Sequence, residues 1–336
     1  MSLVSILIPT YNQPEFFRRT LISALNQDYP DIEILIGDDS TDDRVKNVVD
    51  EFLSRPQRFP IRYFRNTDKS DSKSISNHDN LLKNARGEYI SFLYHDDLIE
   101  PTKISKVMLM FESEYGKDIA LVTSNRWIID ESDTIIDKYG IDFEGILGRH
   151  SRTLSSEEFA SICLLTKNNL FGEPSAVVFK KDDLLDSETG EYKLGIFLGK
   201  KFLAHFDFPM WLELCRKRDS LVVFINEPLT SFRRHSSQNS ADPWLNFCLI
   251  TEWADILAHA FLNDTFIHDT QSLDQGCQLW LKYVREFFTL HRSKVENTPA
   301  ILENLDILTQ MAQTVEENNF SKFLQLAVKK KPWETV

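Results

Sequence analysis

The chain of 336 residues carries 38 Lys and Arg against 51 Asp and Glu, a formal charge of −13, with 42 % hydrophobic and 12 % aromatic residues. That composition predicts a soluble globular protein long enough for two domains, or one large domain with an appendage. The acid excess excludes the positive field of a non-specific nucleic-acid binder. The 11 glycines include no G-x-G pair and open no G-x-x-x-x-G-K-[ST] loop, which excludes both common glycine-rich phosphate cradles. Cys163, Cys215, Cys248 and Cys277 are widely spaced and form no C-x-x-C, so they predict reduced, buried thiols in a cytoplasmic protein. The N-terminal residues run straight into a strand pattern without a leader signal, and no run approaches the ~18 apolar residues of a membrane span.

In chain order, short apolar runs alternate with amphipathic stretches, the pattern of a parallel sheet with crossover helices. A strand is expected over 4–8, then a helix over 13–26 with Phe16, Phe17, Leu21, Ile22, Ala24 and Leu25 at helical spacing. A strand over 33–36 ends in Gly37-Asp38-Asp39-Ser40, followed by a helix over 45–53, a strand over 61–64 and a helix over 76–84. The apolar strand 89–93 closes on His95-Asp96-Asp97. Next come a helix over 103–114, a strand over 120–123, an acidic loop over 130–150, a helix over 156–165 and a strand over 176–179. A helix over 209–218, a strand over 221–225 and a turn at 226–229 complete this part. From residue 243 three helical stretches follow, over 244–262, 273–290 and 300–328. The expected organisation is therefore a domain over 1–242, with a half over 1–100 and a half over 101–242, and a helical extension over 243–336, a separate subdomain or a lid.

Polar clusters recur at the carboxyl ends of the strands, where open α/β sheets bind ligands. Tyr11 in Pro9-Thr10-Tyr11-Asn12 offers a ring for stacking, and Asp38-Asp39 offers carboxylates to a base or ribose; helix capping and Asx turns suit the same acids. Asp96-Asp97 suits a hard divalent cation, which takes one or two carboxylates and completes its shell with phosphates, or else a helix cap. Asp207 precedes a helix and suits an N-cap. Phe232-Arg233-Arg234-His235 offers contacts to a diphosphate and a metal, or a solvated loop.

The order of these elements resembles the family 2 glycosyltransferases with the GT-A fold, over about residues 3–240. Val4 to Asn12 resembles the family's first strand and loop. Gln27, Tyr29 and Glu33 to Asp38-Asp39-Ser40 resemble its "Q-x-Y-x-x-x-E-[IV]-[IV]-[IV]-x-D-D-[GS]" stretch. Ala85-Arg86-Gly87-Glu88-Tyr89 to Asp96-Asp97 resembles "A-x-G-x-Y-[IV]-x-F-L-x-x-D-D". Asp207 with Trp211, then Glu227-Pro228-Leu229 and Arg233-Arg234-His235, resemble "D-x-x-x-W-L-x-L", "E-P-L" and "Y-R-x-H".

The resemblance implies a Rossmann-like, mixed but mainly parallel sheet flanked by helices, with a C-terminal helical subdomain. It implies an inverting transferase that moves a sugar from a nucleoside diphosphate sugar to a hydroxyl acceptor by a single displacement. Pro9, Thr10, Tyr11, Asp38, Asp39, Tyr94 and Asp96 would bind the nucleotide, Asp96 and His235 a Mn²⁺ or Mg²⁺ ion, and Asp207 would be the general base. Asp97, Glu173, Pro174 and Trp211 are candidates for the acceptor side, with the segments 169–175 and 142–152 and the helical tail. The carboxylate near the base fits a UDP- or dTDP-sugar, and the family's acceptors are saccharides, often lipid-linked. Tyr94 stands where the family's D-x-D element begins with an aspartate, which predicts altered ribose contacts. Lys73 and Arg86 receive no role.

The competing readings are a catalytically impaired nucleotide-sugar-binding module, or a scaffold for association through the helices that carry Trp253, Leu257, Phe261, Trp280, Phe287 and Leu290, which also suit a plain helical core. Oligomerisation is open. Lys329-Lys330-Lys331-Pro332-Trp333 is a candidate for peripheral docking at the inner membrane face, or a solvated tail.

Overall fold

The computed structural model describes residues 1–66, 73–138, 143–238, 242–291 and 295–331, without the side chains of 73, 74, 138, 143 and 144. The Lys73 side chain, Asp142, Pro332 and Trp333 thus lie outside the described residues. The elements run β1 (Val4–Thr10), α1 (Pro14–Leu25), β2 (Ile32–Asp38), α2 (Arg44–Leu53), β3 (Ile61–Arg65), α3 (Lys73–Asn84), β4 (Tyr89–Phe92), β5 (Leu98–Ile99), α4 (Lys103–Phe111), β6 (Ile119–Ile129) and β7 (Ile135–Lys138). They continue with α5 (Phe143–Leu147), β8 (Arg152–Ser155), α6 (Ser156–Thr166), β9 (Val178–Lys180), the hairpin β10 (Ile196–Phe197) and β11 (Lys200–Lys201), α7 (Asp207–Cys215) and β12 (Leu221–Arg233). The tail holds α8 (Pro243–Leu262), α9 (Thr270–Leu290), α10 (Pro299–Glu316) and α11 (Phe320–Ala327).

The main sheet has the order β3-β2-β1-β4-β9-β6-β12-β5, with β7 on β6 and β8 on β12. β1 and β2 are buried at all seven positions, as strands covered on both faces are. β3, β2, β1 and β4 are mutually parallel. β9 runs antiparallel to β4 and to β6, so β6 regains the direction of β4, and β12 lies parallel to β6. The carboxyl ends of β1, β2, β4 and β12 therefore share one sheet edge. The mixed, mainly parallel sheet with a C-terminal set of helices is the expected fold class. All four cysteines are free and buried.

Several local expectations are corrected. The turn at 226–229 is a bulge inside β12, with register shifts between Ile225 and Pro228 and between Pro228 and Thr230. Pro228 has no N–H for the ladder, so the sequence mimics a turn, but the bulge absorbs it and the strand goes on to Arg233. The loop over 130–150 contains β7 and α5. The last helical stretch breaks at Asn318, whose φ is 53°, and Asn319 recaps the chain by accepting from the Lys322 N–H at 3.1 Å. Lys331 is buried, its ammonium donating to the carbonyls of Leu326, Ala327 and Lys329 at the end of α11, so it is a helix C-cap and not a membrane contact.

By length and composition α8 could cross a membrane, against expectation: an 18-residue window has mean hydropathy 1.2. Yet 67 % of that window is buried, and Glu252 and Asp255 within it are bonded charges in a core.

The chain divides into two compact units that do not follow the boundary near 242. The first comprises Met1–Ser156, Leu170–Leu194 and Lys217–His235, and holds the main sheet. The second comprises Glu157–Asn169, Gly195–Arg216 and Ser236–Val336, and holds α7 with the tail helices. In the second unit α9 lies close on α8, because Gly276 leaves no side chain: a Cβ there would come within 2.9 Å of Leu257 Cδ1.

Candidate active site

In the first unit, parallel register places Thr10 opposite Asp38, so two strand ends meet. The loops beyond are tied together. The Asn12 N–H donates to Ser40 Oγ at 2.9 Å, Asn12 Oδ1 accepts from the Thr41 N–H at 2.8 Å, and the Asp39 N–H donates to the Thr10 carbonyl at 3.0 Å. Asn12 takes the left-handed conformation this requires, with φ of 54°. Gly37 has no room for a side chain: a Cβ would fall 2.0 Å from Asn77 Oδ1.

Asp38 is fully buried and accepts from the Ser40 N–H, Tyr63 Oη and Arg65 Nη1 at 2.7–2.8 Å. It braces the loop from inside; burial, then the Asp38 hydrogen bond, pushes the Tyr63 hydroxyl up to about 12. Asp39 is half-buried beside it, and Tyr11 is 44 % exposed, a large ring left facing solvent at a strand end. Among the described residues Thr10 Oγ1 and Gln13 Oε1 have no hydrogen-bond partner although both atoms are buried.

β4 delivers the second cluster. His95 Nδ1 lies 3.3 Å from the Pro9 carbonyl. Burial holds its pKa below the usual imidazole range, so the neutral ring donates there and leaves Nε2 without a partner among the described residues. Asp96 Oδ2 is 3.1 Å from Nε2 of His235, the residue that follows β12 by two positions, and the His235 side chain is 1 % exposed. Burial opposes ionisation of Asp96, but the His235 hydrogen bond leads the opposing influences that hold the carboxyl below its usual range. One oxygen and one nitrogen donor converge here, and among the described residues no group of three metal-ligating side chains forms. This donor set fits a divalent cation whose remaining shell comes from diphosphate oxygens and water.

Asp97, by contrast, is buried. It accepts from Ser175 Oγ at 2.6 Å and from the Arg233 N–H at 3.2 Å, and burial, then Asp96, raises it well above the carboxylate range. The expectation of an acceptor contact at Asp97 is thereby corrected: the side chain is enclosed. Arg233 is likewise a strut rather than a diphosphate ligand, fully buried with Nε on the Asp96 carbonyl at 2.7 Å, Nη1 on the Asp130 carbonyl at 2.7 Å and Nη2 paired with Asp133. Ser175 Oγ also accepts from the Tyr94 N–H at 3.0 Å, and buried Lys103 donates to the Ser175 carbonyl. Ser175 and Lys103 form the support that sequence reasoning missed, and Arg233, singled out for a diphosphate, joins them as a strut.

Of the other acceptor-side candidates, Pro174 and Trp211 are buried, Trp211 completely, so an acceptor cannot reach them. Glu173 is half-buried and pairs with Arg126 at 2.8 Å. In the second unit α7 starts at Asp207 with Phe206 as N-cap, so Asp207 lies in the first turn rather than at the cap. Its Oδ2 accepts from Asn169 Nδ2 at 3.2 Å.

Cavities of about 380 Å³, lined by Leu53, Arg58 and Phe59, and about 330 Å³, lined by Leu109, Arg152 and Glu227, share no residue with these clusters.

Residues 5–159 match the family described as glycosyl transferase family 2, a stretch that includes Pro9 to Asp97 and ends before Asp207 and His235. Over that stretch, somewhat under half of the chain, the protein is similar to that family. It is 27 % identical over 229 residues, 66 % of its length, to a GalNAc(5)-diNAcBac-PP-undecaprenol beta-1,3-glucosyltransferase of Campylobacter jejuni. The matched stretch spans 66 % and 62 % of two curated relatives' own lengths. Among solved structures, S. aureus TarS 1-349 in complex with UDP-GlcNAc aligns with TM-score 0.59 at 13 % identity, covering 97 % of this chain and 90 % of that one. The mannosyltransferase PcManGT of Pyrobaculum calidifontis, in complex with GDP-Man and Mn²⁺, aligns with TM-score 0.53 at 12 % identity, covering 97 % and 85 %. These likenesses establish the GT-A fold.

Proposed function

We propose that this protein transfers a glycosyl group from a UDP- or dTDP-sugar to a hydroxyl of a saccharide or lipid-linked acceptor, with inversion at the anomeric carbon. The observation that carries this reading is the Asp96–His235 pair at 3.1 Å on the sheet edge that also presents Tyr11 and Asp39. The Tyr11 ring stacks on the base, Asp39 accepts from a base N–H, and Asp38 holds their loop. Tyr94 stands toward the ribose. Asp96 and His235 would hold a divalent cation, which when bound neutralises charge on the departing diphosphate. Asp207 takes the proton of the acceptor hydroxyl as it attacks. Glu173 remains the acceptor-side candidate with an accessible carboxylate.

The nucleotide-sugar complexes of the two solved relatives in fold support the donor class, and the Mn²⁺ in one supports the cation. The undecaprenol-linked substrate named for the Campylobacter relative supports a lipid-linked acceptor. We assign 1–242 to transfer and 243–336 to an extension serving it.

The test is a thermal-shift panel of UDP, dTDP, GDP and their sugars with Mn²⁺ or Mg²⁺. Ligands that bind the folded state raise its stability by mass action. Stabilisation by UDP or dTDP that disappears in Asp96→Ala is expected, and a flat panel would end this reading. Tyr94 in place of an aspartate favours a second reading, a binding module without turnover. Chelator-sensitive release of nucleoside diphosphate from the bound sugar decides against it.

A further inference from the structure

The segment that leads into Asp207 is held by one helix. Glu252 on α8 is 1 % exposed, and its carboxylate accepts three consecutive backbone N–H groups: Leu203 at 3.0 Å, Ala204 at 3.1 Å and His205 at 2.7 Å. His205 Nε2 lies 2.9 Å from the Leu249 carbonyl, one turn earlier on the same helix. Burial, reinforced by the Lys167 charge, pushes the His205 imidazole down to about 3, so the ring is neutral and donates this bond. The Phe208 ring stacks on Trp253 at 4.6 Å with an 11° interplanar angle, and His205 meets the same indole edge-on at 5.6 Å. One turn further, buried Asp255 pairs with Lys200 of β11. Asp207 is thus flanked by His205 and Phe208, both fixed to α8.

A carboxylate buried against three peptide N–H groups is a strong, directional clamp. A buried acid is costly to keep unless it is used in this way. We propose that Glu252 is a positioning residue for Asp207, so that α8 belongs to the transfer machinery rather than to a lid or an association surface. This rests on the reading of Asp207 as the base. A base displaced by about 1 Å loses on the order of 100-fold in rate, and the clamp fixes three backbone positions, the nearest of them two residues before it.

The test uses the full chain with Glu252→Gln. The amide keeps one acceptor oxygen but turns an NH₂ group toward a backbone N–H. We expect kcat for nucleoside diphosphate release, measured on whichever of UDP-glucose, UDP-GlcNAc and dTDP-glucose the wild type turns over, to fall about 10-fold. The donor KM and the thermal shift with UDP and Mn²⁺ stay unchanged. Amide hydrogen exchange quickens over 203–210 and keeps its wild-type rate over 32–38. His205→Phe, which keeps the ring on Trp253 but loses the bond to Leu249, gives a smaller fall of the same kind, and decides the matter if Glu252→Gln does not fold.

Wild-type kcat with wild-type exchange in the variant overturns the proposal. So does a loss of activity with exchange quickened everywhere, which marks a general structural role. Full turnover in Asp207→Asn would instead remove the base reading. If the wild type turns over no donor of the panel, exchange over 203–210 alone decides whether Glu252 holds the loop.

Discussion

The two units each place one of the carboxylates assigned a role in the proposed function, and they do so by different means. In the first, Asp96 is placed by the sheet: parallel register aligns strand ends, a bulged β12 brings His235 to it, and Arg233 and Ser175 support the turn from below. In the second, Asp207 lies at the start of a short helix, and the preceding backbone is gripped by Glu252 of α8. A strand end inherits its position from many ladder hydrogen bonds, so single substitutions there change chemistry more than geometry. A loop gripped by one side chain concentrates the same task in one residue.

This contrast is open to test. The largest effect is expected from Asp207→Asn: kcat for transfer should fall by about 10²–10⁴, the range for loss of general-base catalysis, with UDP binding by thermal shift retained. Wild-type turnover would break the division of roles. Trp211→Ala should cost about 3–5 kcal/mol of stability in denaturant unfolding, as for a core Trp, while the acceptor KM of the folded protein stays put; a raised KM at full stability would restore Trp211 to the acceptor side. His235→Ala should weaken Mn²⁺-dependent retention of UDP by at least ~10-fold, read by calorimetry with and without metal, and should also lower the unfolding midpoint, because it leaves the buried Asp96 carboxylate without its partner.

The smallest effect concerns Lys103, which burial lowers to about 7 against an ordinary 10.5. Between those values the unfolded chain binds the extra proton, so this residue makes stability rise with pH from about 7 upward. Lys103→Met should flatten that rise in urea midpoints measured from pH 7 to 9. An unchanged slope would show that Lys103 is not the source of the rise.

Much of the geometry at the strand ends was legible in the sequence, because its signals are local. The apolar runs before Thr10, Asp38 and Asp96 mark strands, and the polar residues directly after them mark the sheet edge. Less was legible where function depends on which residues are enclosed. Asp97 adjoins Asp96 in sequence, yet one is buried under Ser175 and the other meets His235. Trp211 lies one helical turn from Asp207, yet its indole is in the core. Pro228 hid the continuation of β12, since a missing N–H marks a turn and a bulge equally well.

The sequence by itself determined the alternating α/β pattern, the absence of glycine-rich phosphate loops, and the acids at the strand ends, because all of these follow from residue type and spacing along the chain. Only the tertiary structure decided the strand order that brings β12 beside β6, the burial of Asp38, Asp97, Pro174 and Trp211, and the grip of Glu252 on residues 203–205. Burial and long-range hydrogen bonds join residues up to 139 positions apart, as in Asp96 and His235, and no local pattern encodes which distant group will supply the partner.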